Sequence, residues 1–146
     1  MPEADLRQKA LGFLARREYS RLELKRKLAP HAENESEVDA LLEDFQRRGW
    51  LSEQRFVEQV IHARGSKYGS RHIAHELREK GVSEEAIAAA LAQLKESDLE
   101  TARAVWAKKF GTPPQDARER AQQVRFLASR GFQLNLIFRI LGRDED

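Results

Sequence analysis

Three copies of one apolar stencil, spaced i, i+3, i+4 and i+7, restrict this chain to a helical repeat. Val38, Leu41, Leu42 and Phe45 form the first copy, Ile87, Ala90, Leu91 and Leu94 the second, and Leu134, Ile137, Phe138 and Leu141 the third. Such spacing lines one face of an α-helix, so each copy reads as a helix with a buried stripe. The copies are offset by 49 and then 47 residues, slightly above the period of HEAT and armadillo units. A second register agrees. Tyr19, Leu24 and Leu28 map onto Tyr68, Ile73 and Leu77 at an offset of 49, and Leu77 onto Leu127 at 50. Lys80-Gly81-Val82 and Arg130-Gly131-Phe132 each set a glycine one step after a basic residue, the pattern of a helix closing at a C′ glycine.

Each period has room for three helices, so the expected fold is all-α: three tandem three-helix repeats over residues 5–51, 52–97 and 98–142. They would stack as an elongated and, depending on the rotation per repeat, curved array. Local signals place the helices. The first spans 5–17 and buries Leu6, Ala10, Phe13 and Leu14. Ser20 to Glu23 is a capping box opening the second, which Pro30 closes before a polar loop at 31–36. Gly49 ends the third. Ser52, Ser70 and Ser83 are the expected caps of helices four, five and six, with Phe56, Val57, Val60 and Ile61 as the face of helix four. Asp98 starts helix seven, with Leu99, Ala102, Trp106 and Phe110 on one side. Pro113 and Pro114 break it before helix eight opens at Asp116, and residues 143–146 are expected to fray.

Charged residues make up 34% of the chain against 40% hydrophobic, well above the charged share of about 25% in ordinary domains. Much of the chain must therefore face solvent. Cysteine is absent, which excludes disulfides and thiolate zinc sites. Residues 1–8 carry charges rather than an apolar run, and nothing approaches the roughly 18 apolar residues of a membrane span. A soluble, unexported, cytoplasmic protein is expected. Lys and Arg number 26 against 24 Asp and Glu, so an anionic partner must meet a local patch rather than a global field.

Catalytic signatures are missing: there is no Gly-x-Ser-x-Gly elbow, no P-loop and no paired-glycine fingerprint. His72 and His75 share a helical face, with Glu76 and Glu79 nearby, but the set reads as solvated or edge-packed histidines rather than a metal site. No metal and no cofactor is expected. Trp106, Tyr19 and Tyr68 read as core or junction residues, with Trp50 as the exception. Basic residues cluster at helix ends and turns, as Arg16, Arg17 and Arg21, Lys25 to Lys27, Arg47 and Arg48, Arg64, Lys67 and Arg71, and Lys108 and Lys109, with an acidic counterpart in 33–44. Arg47, Arg48, Trp50, Arg64, Lys67, Arg71, Lys108 and Lys109 are the expected partner-binding residues, because cations at helix ends suit phosphate or acidic surfaces.

The stretch Gly49-Trp50-Leu51-Ser52-Glu53-Gln54-Arg55-Phe56 resembles the junction motif of the RecX family of bacterial RecA regulators, with Trp50 and Ser52 where Tyr and Asp are frequent. Lys67-Tyr68-Gly69-Ser70-Arg71-His72-Ile73, Glu76-Leu77 and Lys80-Gly81-Val82 are similar to the family's basic-glycine turn and second-unit helix. Tyr19-Ser20, Glu23-Leu24 and Lys27-Leu28 resemble its first-unit motif. The resemblance runs over nearly the whole chain and is least distinctive in the third unit. It implies a monomeric negative regulator of recombination and the SOS response. Such a protein binds the RecA recombinase filament on single-stranded DNA along its helical groove, so that ATP hydrolysis, strand exchange and coprotease activity fall. The alternative is a general nucleic-acid-binding helical protein with helix-turn-helix-like units, touching single- or double-stranded DNA directly.

Overall fold

Five helix starts in this chain are set by short polar side chains that accept an orphan backbone N–H. Ser20, Asn34, Ser52, Ser83 and Asp116 each accept from the N–H three residues on, at 3.1, 2.9, 3.2, 3.2 and 2.8 Å. Each such cap is worth about 1 kcal/mol. At Ser20 the bond is reciprocal, since Glu23 accepts from the Ser20 N–H at 3.1 Å. Stops are equally local. Gly81 and Gly131 adopt φ of 77° and 93°, a region that costs glycine nothing. The N–H of Val82 donates to Leu77 O and that of Phe132 to Leu127 O, closing two Schellman turns of the same form.

The computed structural model describes residues 2–142, with side chains from residue 5. The helices are α1 (Pro2–Arg16), α2 (Arg21–Leu28), α3 (Glu35–Arg47), α4 (Glu53–Arg64), α5 (Ser70–Glu79), α6 (Glu84–Lys95), α7 (Asp98–Lys109), α8 (Ala117–Ser129) and α9 (Leu134–Leu141). A single 3-10 turn, Ala29–His31, follows α2, and no strand occurs among the described residues. None of these helices is long and apolar enough to cross a membrane. The expected fraying of residues 143–146 lies outside the described residues.

Two compact units divide the chain. Unit 1 comprises Met1–Gln59 with Leu77–Ala86, and unit 2 comprises Val60–Glu76 with Ile87–Asp146. In unit 1, α1, α2 and α3 enclose Leu6, Ala10, Leu24, Leu28, Val38, Leu42 and Phe45, with Tyr19 and Leu51 at the edge. Each of the large side chains there contributes about 1.5–3 kcal/mol by burial. In unit 2, α7, α8 and α9 meet around Ala102, Leu127, Phe132 and Ile137, with Val105, Trp106, Phe126 and Ile140 packed outside.

Three local expectations are corrected. The loop at 31–36 is shorter, because residues 29–31 continue as a 3-10 turn and Asn34 already caps α3. Ser70 is not a cap but the first residue of α5. Its hydroxyl donates to Asp98 Oδ2 at 2.5 Å and its N–H to Asp98 Oδ1 at 3.1 Å, a buried carboxylate being the stronger acceptor. In the third stencil copy Ile137 is buried, but Leu134 and Phe138 are 52% and 37% exposed. α9 packs mainly against α7 and α8, and it turns Ile137, Ile140 and Leu141 toward them.

Candidate partner-binding grooves

The turn from α4 into α5 is built on two glycines. Gly69 N–H donates to Arg130 O at 2.7 Å and Arg71 N–H to Gly131 O at 3.3 Å, so the turn before α5 is hydrogen-bonded to the end of α8. A Cβ on Gly69 would overlap the Gly131 carbonyl, and one on Gly131 would lie 2.5 Å from His72 Cβ. Only glycines allow the two backbones this approach. The docking sets Tyr68 face to face with His72, ring centroids 4.0 Å apart, and brings the Arg130 guanidinium to 5.0 Å from the rings of both Tyr68 and Phe126.

Around these rings unit 2 opens a groove of about 650 Å³, with Val105 and Phe126 in its wall and Lys67, Lys108, Lys109 and Arg130 as its charges. No carboxylate lines it, and none of the four cations has an ion pair among the described residues. Lys109 also lies 5.4 Å from the Phe126 ring centroid. The expected residues Lys67, Lys108 and Lys109, distant in sequence, thus come together. Arg64 is not among them, since its guanidinium pairs with Glu76 at 3.2 Å. Arg71 lies on a separate hollow with His72, His75, Phe132 and Leu134. The two histidines belong to no group of three or more possible metal ligands among the described residues.

Unit 1 carries the counterpart around Tyr19, a smaller groove of about 270 Å³ lined by Arg17, Arg26, Lys27 and Lys80. Here a carboxylate sits among the cations. Glu23 pairs with Arg17 and with Lys80, both at 3.3 Å. Burial pushes its carboxyl up, but the hydrogen bonds from Arg17, the Ser20 N–H and Lys80 together outweigh this and hold it below the usual carboxylate range. The acidic run on α3 neutralises more of unit 1: Lys25 reaches Glu35 and Asp39 at 2.7 and 3.0 Å, and Arg21 reaches Glu43 at 3.1 Å. Arg17, Arg21, Lys25 and Lys80 are thus paired with acids inside unit 1.

Arg47, Arg48 and Trp50 form a third locus, at the end of α3. Asp44 accepts from Arg48 and Arg7 at 3.0 and 3.2 Å and lies 3.5 Å from Arg47. The hydrogen bond from Arg48, aided by Arg7, holds its carboxyl below the usual range. Trp50 is 41% exposed. Its ring meets Phe45 edge-on at 5.4 Å and carries the guanidinium groups of Arg48 and Arg7 at 5.1 and 5.6 Å. Trp106, by contrast, turns inward and donates from Nε1 to Gln123 at 2.8 Å.

Sequence reasoning missed Arg7, Phe126 and the role of Arg130. The available signal was the repeat itself, since Arg130 stands 50 residues after Lys80, and Lys80 reaches the tyrosine groove of unit 1.

Residues 96–141 match the family model described as the third three-helix domain of RecX, and residues 52–91 match that of the second. The chain is 48% identical to the regulatory protein RecX of Ralstonia nicotianae over 136 residues, 93% of this chain and 86% of that one. It is 46% identical to the RecX of Ralstonia pickettii, over 96% of this chain and 89% of the relative. The crystal structure of RecX from Lactobacillus salivarius superposes with a TM-score of 0.80 at 17% identity, covering 96% of this chain and 94% of the other. At that identity the superposition speaks for the fold, an all-α repeat.

Proposed function

The chain belongs to the RecX family of regulatory proteins, and we propose that it binds the RecA filament on single-stranded DNA and lowers its ATPase, strand-exchange and coprotease activities. It would act in the cytoplasm as a binding protein with no catalytic step of its own. Recombination and the SOS response would be restrained as a consequence. The observation that carries this reading is the extent of the likeness, 48% identity over 93% of the chain to a relative named as a regulator. The unneutralised groove of Lys67, Lys108, Lys109 and Arg130 supplies a physical means. Cations left without a carboxylate in the fold can meet an anionic surface, and contacts repeated along a helical filament add. Arg71 and the Arg47, Arg48 and Trp50 locus are further proposed contacts.

The test is RecA's single-strand-dependent ATPase with this protein stoichiometric to filament. A progressive fall is expected, and an unchanged rate defeats the reading. Charge reversal at Lys67 and Arg71 should relieve the inhibition by roughly tenfold in the concentration required, while circular dichroism reports an intact fold. Bare DNA offers a control. If inhibition merely follows naked-DNA affinity, and that affinity falls by about 0.9 log units per log unit of salt for each phosphate met, general nucleic-acid binding explains the effect instead.

A further inference from the structure

The chemistry of the unit 2 groove narrows what can lie in it. Three of its cations end helices: Lys108 and Lys109 occupy the last turn of α7, and Arg130 is the C-cap of α8. Two helix C-termini supply about −0.5 charge each, roughly −1 in total, against three cations there and Lys67 beside them. A surplus of positive charge therefore remains after the helix ends are served. The occupant is anionic.

Nucleic acid fits the charge but not the walls. Strands held without sequence preference stack their bases on open aromatic faces. The Tyr68 ring is stacked against His72 at 4.0 Å and approached by Arg130, and the Phe126 ring is approached by Arg130 and Lys109 and met edge-on by Phe110 at 5.4 Å. Both platforms are already in use. What remains exposed is aliphatic and aromatic edge, with Val105 beside Phe126, a surface that gains from an apolar side chain.

We propose that this groove binds an acidic segment of a partner protein, a stretch of Asp and Glu with one or two apolar side chains among them. Its carboxylates would pair with Lys67, Lys108, Lys109 and Arg130, and an apolar residue would cover Val105 and the edge of Phe126. This deepens the filament-binding reading, resting on it only for the choice of a protein partner, and assigns the groove to protein rather than to DNA.

The experiment is fluorescence anisotropy on the full chain with three labelled probes: a short peptide alternating Glu and Asp with Leu and Phe, its Gln and Asn isostere, and an oligothymidylate of equal charge. The acidic peptide should bind, weaken with salt, and lose roughly tenfold or more in K108E/K109E, while the isostere does not bind. K108Q/K109Q, which only removes charge from an exposed helix end, gives the same direction if the reversal disturbs folding. Tighter oligothymidylate binding, lost in the same variants, overturns the proposal in favour of nucleic acid. Failure of the peptide to bind while RecA's ATPase is still inhibited overturns the groove assignment alone. Failure of both removes the functional reading with it.

Discussion

At Tyr19 the chain entering α2 carries Glu23, and at Tyr68, 49 residues on, the chain entering α5 carries His72 in the same register. Each turn is met by a basic residue preceding a C′ glycine, Lys80 in unit 1 and Arg130 in unit 2. The consequences diverge. Glu23 draws Arg17 and Lys80 into a closed set of ion pairs, whereas His72 stacks flat on Tyr68 and leaves the surrounding cations without acids. One scaffold thus serves two ends. Where the repeat supplies its own carboxylate two of the groove's cations are held in ion pairs, and where it does not all four are left without an acid among the described residues.

The largest expected effect comes from the glycine pair that holds the second groove together. Gly69→Ala places a Cβ 2.6 Å from the Gly131 carbonyl carbon, and backbone cannot yield as a side chain can. A loss of about 2–4 kcal/mol is expected in urea unfolding. Gly81, by contrast, faces the Leu22 side chain, nearest atom 2.9 Å. A tolerated Gly69→Ala would show that the two turns do not bear on each other as described. Next in size is His72→Glu, which gives unit 2 the carboxylate of unit 1. Acidic-peptide affinity should fall about tenfold, about 1.4 kcal/mol. Unchanged affinity in the anisotropy titration would separate the groove's openness from the identity of this residue.

What could be read beforehand follows from the range of the forces involved. The caps at Ser20, Ser52, Ser83 and Asp116 and the C′ glycines are decided within three to six residues, so the sequence displays them directly. Lys67, Lys108 and Lys109 were legible as cations at helix ends. Their convergence was not, because it depends on Gly69 meeting Gly131 across 62 residues, a backbone contact that leaves no periodic trace. Ser70 illustrates the same limit. Its type promises a cap, but a buried Asp98 from a later helix accepts from both its donors. Leu134 and Phe138 obey the stencil and stay exposed, since burial needs a covering element as well as a stripe.

A smaller effect sharpens the unit 1 side. Glu23→Gln keeps a polar N3 side chain for the capping box but removes the charge that holds Arg17 and Lys80. Screened by solvent, the loss should be about 1 kcal/mol at neutral pH. Because the folded carboxyl lies below its ordinary value, its contribution is complete above the unfolded pKa, roughly 4.3, and disappears as pH falls through the lower folded value. The gap between the melts of variant and parent should therefore close in acid. A gap that persists there would assign the cost to packing instead.

The smallest predicted change runs in the opposite direction and isolates what makes Gly69 special. Gly12 lies inside α1, and a Cβ built on it meets nothing within 4 Å. Gly12→Ala removes unfolded-chain entropy without a clash, so it should stabilise by about 0.5–1 kcal/mol in the same urea titration. If Gly12→Ala and Gly69→Ala moved stability alike, glycine flexibility rather than backbone contact would account for both. Opposite signs would tie the cost at Gly69 to the meeting of the two turns, and hence to the geometry that gathers four cations into one groove.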